Sequence, residues 1–139
     1  MTQNDVFSDN VTTLFSIGYT YMESSITATQ SEIVELATIK LASGKTEADL
    51  VQASNIFQRE FLDQQPGFIR RELVRKAPSE YVDIIHWRSQ EDFNEVMKVI
   101  ETSPVVQQFF SVMDFDPVQS EEAVQIYSSV SVYQAKENN

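Results

Sequence analysis

The sequence predicts an α+β fold in which helices cover one face of a four-stranded antiparallel sheet. Residues 33–133 follow the order strand, helix, strand, strand, helix, strand, which is the order of a split βαβ unit. Three of the four predicted strands carry apolar or aromatic residues on both faces, so both faces of the sheet need cover. Because the helices cover only one face, we expect a second copy of the chain to cover the other.

The first strand, residues 33–41, is identified by its β-branched content. Thr46 then stands at the start of a helix, where its hydroxyl can accept a hydrogen bond from a free amide group. This helix has one apolar face, on which residues recur at helical spacing. These residues are Leu50, Ala53, Phe57 and Phe61. Pro66 and Gly67 end the helix.

The second half of the pattern begins with a hairpin. Residues 68–76 and 80–88 are short runs separated by a turn that contains Pro78. A second helical region follows and restarts at Pro104, whose missing amide hydrogen costs nothing at the first helical position. Branched residues alternate with polar residues and tyrosines over residues 124–133, which predicts the fourth strand. These elements give a ferredoxin-like βαββαβ arrangement, and two copies packed sheet to sheet would form a dimeric α+β barrel.

We divide the chain into three parts. Residues 1–31 form an N-terminal extension, residues 32–135 form the α+β domain, and residues 136–139 form a short tail. Within the extension, apolar and aromatic residues alternate with a period of two over residues 11–21. Two interpretations of the extension stay open: a poorly ordered tail, or an extra strand laid against the sheet edge or against a partner subunit.

Composition argues against several classes of function. Lys and Arg number 10 against 21 Asp and Glu, a net charge of −11, so we expect no nucleic-acid partner. Cysteine is absent, which excludes disulfides, thiolate metal ligands and a cysteine nucleophile. The sequence shows no secretory signal pattern and no apolar run long enough to span a bilayer. We therefore expect a soluble, cytoplasmic protein with no membrane partner.

Three segments carry a resemblance to a known family: Ile33–Leu41, Gln65–Phe68 and Ile85–Phe93. They resemble the antibiotic-biosynthesis-monooxygenase-like family, and the likeness extends over about residues 33–133. The resemblance implies a dimeric α+β barrel. Members of this family include cofactor-independent oxygenases of aromatic substrates, haem-degrading enzymes and many proteins with no known reaction.

The resemblance also implies roles for individual residues. Trp87 matches the family's strand-three tryptophan, which lines a pocket between the sheet and the helices. Ala37 and Phe110 stand where the haem-degrading branch has an asparagine and a haem-ligating histidine. Haem degradation is therefore disfavoured, and we expect no cofactor. The oxygenase branch orients a phenolic substrate with polar groups, and Asp83 lies on the same strand face as Trp87.

Asp83 and His86 are the candidate catalytic residues. His86 is the only histidine, and histidine is the residue type that titrates near neutrality. It can instead be a hydrogen-bonded core or interface residue, and alternation along the strand points it away from the helices if Trp87 faces them. One histidine makes no metal site unless Glu35, Glu72 or Asp83 joins it, so we expect no metal.

A ligand pocket between the sheet and the helices is expected to combine aromatic side chains with a few polar groups. The candidate pocket residues are Trp87, Tyr81, Phe57, Phe61, Met97, Phe109, Phe110 and Tyr127. A tightly packed core has the same composition. Two functions therefore stay open: a cofactor-independent oxygenase or binder of a small aromatic or apolar molecule, and a non-catalytic ligand-sensing or structural dimer module.

Four of the ten basic residues lie within seven positions of the hairpin; they are Arg70, Arg71, Arg75 and Lys76. We expect these four side chains to form a solvated edge that discourages pairing with another strand. The alternative is a patch that attracts anions to an otherwise negative protein.

Overall fold

The computed structural model describes residues 31–115 and 123–136 of the chain. The extension predicted for residues 1–31 lies almost entirely outside the described residues, so both interpretations of it stay predictions. Residues 137–139 of the predicted tail also lie outside the described part of the chain. The division of the chain into three parts therefore stays a prediction.

The described elements follow the predicted order. In chain order they are β1 (Ile33–Lys40), α1 (Glu47–Glu60), a 3₁₀ turn (Leu62–Gln64), β2 (Phe68–Ala77), β3 (Glu80–Trp87), α2 (Gln90–Val99), α3 (Pro104–Phe110) and β4 (Val124–Ser128). The four strands form one antiparallel sheet in the order β2-β3-β1-β4. This arrangement confirms the predicted ferredoxin-like α+β fold. The second helical region consists of two helices because it restarts at Pro104.

Polar side chains begin the three helices, and the first of them is Thr46, as the sequence predicts. The Thr46 hydroxyl accepts a hydrogen bond from the Asp49 amide at 3.2 Å, and the Asp49 carboxylate accepts one from the Thr46 amide at 2.8 Å. This reciprocal capping box satisfies two amide groups at the start of α1. The hydroxyls of Ser89 and Ser103 likewise accept a backbone hydrogen bond at the starts of α2 and α3. The caps determine where each helix begins above the sheet.

Alternation along the strands divides the side chains between two faces of the sheet. The buried, helix-facing side chains of β1 and β3 are Ile33, Glu35, Ile39, Tyr81, Asp83, Ile85 and Trp87. The opposite side, which we call the open face, carries Val34, Leu36, Val82, Ile84 and His86. These five side chains are only half-buried among the described residues. The expected alternation is thus observed: Trp87 faces the helices, where it contacts Phe93 of α2, and His86 lies on the other side.

The fourth strand is shorter than the sequence predicts. β4 ends at Ser128, which lies opposite Ile33, the first residue of β1. The Ser129 amide donates a last hydrogen bond to the Glu32 carbonyl at 2.8 Å. The predicted continuation beyond this point is wrong for the described chain, because β1 supplies no further residue to pair with. Val130, predicted to be part of the strand, is 97% exposed.

Candidate functional site

Three charged side chains lie buried between the sheet and the helices. Glu35 of β1 is 3% exposed, Asp83 of β3 is 2% exposed, and the side chain of Arg71 on β2 is 6% exposed. These residues, on three neighbouring strands, are the buried charge cluster. Burying a charged group is costly unless it is paired or neutralised, so each member needs a partner inside the protein.

Asp83 and Arg71 satisfy each other directly. Arg71 Nε donates to Asp83 Oδ1 at 2.7 Å, and Arg71 Nη2 donates to Asp83 Oδ2 at 2.9 Å. Two parallel hydrogen bonds of this kind are strong and define the orientation of both groups. Burial raises the pKa of the Asp83 carboxyl, and the charge and hydrogen bonds of Arg71 act against this shift.

The helices hold the guanidinium of Arg71 in place from above. Arg71 Nη1 donates to the backbone carbonyl of Ser54 on α1 at 3.3 Å. The guanidinium carbon lies 5.1 Å from the ring centroid of Phe57 and 5.3 Å from that of Phe109, so cation–π attraction adds to the ion pair. Asp83 and the two rings therefore surround Arg71 on the side of the sheet that faces α1 and α3.

Glu35 is paired with Trp87 rather than with a cation. Trp87 Nε1 donates to Glu35 Oε1 at 3.0 Å, across 52 positions of the sequence. Burial raises the pKa of Glu35 from its ordinary value of 4.5 to about 7, while the hydrogen bond from Trp87 opposes the shift. Asp83 raises this pKa further and Arg71 lowers it. Glu35 is therefore a buried carboxyl that changes its protonation near neutral pH.

Aromatic rings surround the buried charge cluster. The rings of Phe57 and Phe109 stack with centroids 4.5 Å apart, and Phe61 stacks on Phe57 at 5.5 Å. Trp87 meets two further rings edge to face, with centroid distances of 6.1 Å to Phe68 and 6.4 Å to Phe93. The result is a set of buried ionisable groups within an apolar, aromatic environment.

Most of the predicted pocket residues lie together in this environment. The structure buries Trp87, Tyr81, Phe57, Phe61, Phe109 and Phe110 in one core, and it packs Met97 against that core. Sequence reasoning missed Phe68 and Phe93, the rings that contact Trp87 directly. It also missed the role of Glu35, which was considered only as a companion to His86 in a metal site. The sequence signal for Glu35 was its place as an acidic residue at an inward-facing position of a strand rich in β-branched residues.

Tyr127 and His86 do not join the cluster. Val34, on the open face, has His86 opposite it on β3 and Tyr127 opposite it on β4. Tyr127 is 49% exposed, and its hydroxyl donates to Gln125 Oε1 at 3.1 Å. The prediction that Tyr127 lines the same pocket as Trp87 is therefore wrong, because the two side chains lie on opposite faces of the sheet. The two predicted catalytic residues, Asp83 and His86, are separated by the sheet in the same way.

The basic residues of the hairpin also divide between the faces. Arg70, Arg75 and Lys76 are exposed, as the prediction of a solvated edge requires. Arg75 forms two hydrogen bonds of 2.7 Å with Glu47 of α1. The prediction is wrong for Arg71, whose side chain points under the helices into the buried charge cluster.

Within the described residues, no group of three or more His, Cys, Asp or Glu side chains could hold a metal ion. Among the helices of residues 31–115 and 123–136, none is both long and apolar enough to cross a membrane.

Residues 32–99 match the family model described as antibiotic biosynthesis monooxygenase. This match confirms the resemblance that the three sequence segments predict. None of the curated proteins matches the sequence of the chain.

Solved structures share the fold. SnoaB, a cofactor-independent oxygenase from Streptomyces nogalater, is 16% identical with a TM-score of 0.53, over 73% of this chain and 96% of SnoaB. A protein of unknown function from Nitrosomonas europaea is 7% identical with a TM-score of 0.58, over 79% of this chain and 100% of its own. A protein from Shewanella oneidensis is 20% identical with a TM-score of 0.50, over 73% and 93% of the two chains. At these identities the likeness shows the fold alone.

Proposed function

We propose that this antibiotic biosynthesis monooxygenase domain binds a small aromatic molecule beside Trp87 and oxidises it with dioxygen, without a cofactor. The observation that carries the proposal is the buried charge cluster, which lies among aromatic rings between the sheet and the helices. Buried ionisable groups with shifted pKa values are characteristic of active sites. The activity named for SnoaB, which shares the fold, belongs to the same class.

Each member of the site has a distinct role in this proposal. Trp87 supplies an aromatic wall for a flat ligand. Both carboxylate oxygens of Asp83 accept hydrogen bonds from Arg71, so Asp83 acts by holding Arg71 and not as a free base. Tyr81 lies on the same face of β3 but six positions from Trp87, and its hydroxyl interacts with Glu47 and Arg75 and not with the buried charge cluster.

We also propose that the working unit is a homodimer in which the open faces of two copies pack together. The half-buried apolar residues of that face support this arrangement; they are Val34, Leu36, Val82 and Ile84. Removing such a surface from water contributes about 25 cal/mol per Å² of apolar area. Light scattering should therefore detect a particle of two chains, whereas a stable, well-folded single chain at micromolar concentration would contradict the proposal.

Replacement of Trp87 by Phe tests the ligand site. Calorimetric titration of the full chain with a panel of phenols and quinols should show saturable binding, and Trp87→Phe should keep the fold but change the affinity. Tyr127→Phe is the matched control, since Tyr127 lies on the opposite face and is 49% exposed. Equal affinity in wild type and Trp87→Phe would remove Trp87 from the site.

The alternative function is a non-catalytic module that senses a ligand or serves as a structural dimer. It is favoured by the close contact between Phe57 and Phe109, whose stacked rings lie 4.5 Å apart in the centre of the predicted pocket. Oxygen consumption separates the two functions. Uptake of dioxygen with a bound phenol or quinol supports the oxygenase, whereas saturable binding without uptake supports the sensor.

A further inference from the structure

Glu35 differs from Asp83 in what surrounds its carboxylate. Glu35 Oε1 accepts the hydrogen bond from Trp87 Nε1, whereas no hydrogen bond from the described residues reaches Oε2. Both oxygens of Asp83 are occupied by Arg71. Within the described part of the chain, Glu35 is therefore the member of the buried charge cluster that has an oxygen left to accept a hydrogen bond from a ligand.

Resting on the proposed function, we infer that Glu35 is the base for the hydroxyl group of a phenolic ligand held beside Trp87. The ionised carboxylate accepts the hydroxyl hydrogen at Oε2. When the O–H bond of the ligand breaks, the proton bonds to the carboxylate and the electron pair stays on the ligand oxygen, which becomes a phenolate. This step needs no oxidant and no reductant.

The surroundings of Glu35 suit it to this task. The charged groups that act on it are Asp83 of β3, which favours its neutral form, and Arg71 of β2, which favours its ionised form. Its cross-strand neighbours are Ile85 on β3 and Ile126 on β4, both apolar. With a pKa of about 7, the carboxyl is ionised in part at neutral pH and still has an appreciable affinity for a proton.

The position of Trp87 links the base to the ligand. Its indole N–H donates to Glu35, and its ring meets those of Phe68 and Phe93 edge to face. A flat ligand stacked against the indole therefore lies close to the carboxylate. His86 cannot take this role, because it lies on the open face.

The test compares phenol with anisole, its methyl ether, in calorimetric titrations of the full chain at several pH values around neutrality. Free phenol stays neutral across this range, since phenolic hydroxyls ionise near pH 10. We expect the affinity for phenol to rise by up to about tenfold per pH unit below the pKa of Glu35 and to level off above it. Anisole has no hydroxyl hydrogen, so its affinity should not rise with pH.

Two variants assign the effect to Glu35. Glu35→Gln keeps an oxygen that can accept the hydrogen bond from Trp87 but cannot take a proton, so its affinity for phenol should not change with pH. His86→Gln removes the only histidine and should keep the pH dependence of the wild type. If Glu35→Gln does not fold, the comparison of phenol with anisole in the wild type still decides the outcome.

The possible results separate this inference from the proposed function. If neither probe binds at any pH, the proposed aromatic site itself fails. If phenol binds with a pH-independent affinity, if anisole shows the same pH dependence as phenol, or if Glu35→Gln retains it, the ligand site stands and the role of Glu35 is overturned.

Discussion

The two faces of the sheet differ in how deeply they bury polar side chains. The helix-facing side buries Glu35, Asp83 and Arg71 among aromatic rings and orients them through directed hydrogen bonds. The open face leaves His86 and Tyr127 only partly covered, on either side of an apolar residue. Residue type alone therefore does not show where in the molecule a reaction takes place. Catalysis is proposed at the buried carboxyls, and the only histidine of the chain lies on the opposite face of the sheet.

The two faces also differ in the interactions that stabilise them. The helix-facing side combines the hydrophobic core with a few buried polar contacts, and removing one polar partner leaves the other buried and unsatisfied. The open face depends on apolar area, which we propose a second copy of the chain covers. Three substitutions test this contrast, and each has a control elsewhere on the molecule.

Loss of the buried cation should have the largest effect. Arg71→Met leaves Asp83 as an unpaired buried carboxylate, and we expect the free energy of unfolding to fall by about 3–5 kcal/mol. Arg70→Met, on the exposed edge of the same strand, should change it by less than about 0.5 kcal/mol. Urea denaturation measures both. Similar values for the two variants would show that the ion pair does not stabilise this side of the sheet.

The pH dependence of stability should report on Glu35. Its pKa is raised from 4.5 to about 7 on folding, so the folded chain keeps a proton that the unfolded chain releases. This contribution is complete below about pH 4.5 and is lost as pH rises through about 7, a decline of about 3 kcal/mol. The raised pKa of Asp83 acts in the same direction.

Two variants test this assignment in urea titrations at several pH values. Glu35→Gln should reduce the decline of the free energy of unfolding with rising pH, because the amide does not titrate. Glu72→Gln, at a half-exposed side chain of the open face, should leave it unchanged. A wild-type chain whose stability rises steadily between these pH values would refute the assignment.

A charge on the open face should affect assembly and not the buried site. Ile84→Lys places an ammonium in the proposed dimer contact, and we expect the dissociation constant of the dimer to rise at least about thirtyfold, or ~2 kcal/mol. Val51→Lys, at a 44% exposed position of α1, should leave it unchanged. Light scattering over a dilution series measures the constant. An unaltered dimer in Ile84→Lys would exclude this face as the contact.

Several parts of the fold were predictable because they depend on neighbouring residues. The hydroxyl of Thr46 and the ring of Pro104 act within one helical turn, and both mark helix starts as predicted. Alternation along β3 likewise placed Trp87 and His86 on opposite sides.

The errors concern residues whose position depends on how strands pair. Register shifts near Phe68 and Arg75 interrupt the pairing of β2 with β3, so spacing along the hairpin does not show that Arg71 faces inward. Tyr127 was assigned to the wrong face because the pattern of β4 shows which residues share a side, but not which side meets the helices. The end of β4 was set by the start of β1, a strand almost a hundred positions away.

The order of the elements, the starts of the helices and the residues that share a strand face were predictable from the sequence, because they follow from interactions between residues close in the chain. The pairing of Glu35 with Trp87 and of Arg71 with Asp83, all on the helix-facing side of the sheet, becomes visible in the folded structure. Their contacts join different strands, and burial of Glu35 raises its pKa toward neutrality although the hydrogen bond from Trp87 opposes the shift. A carboxylate acquires that property from its surroundings, which no single stretch of the sequence contains.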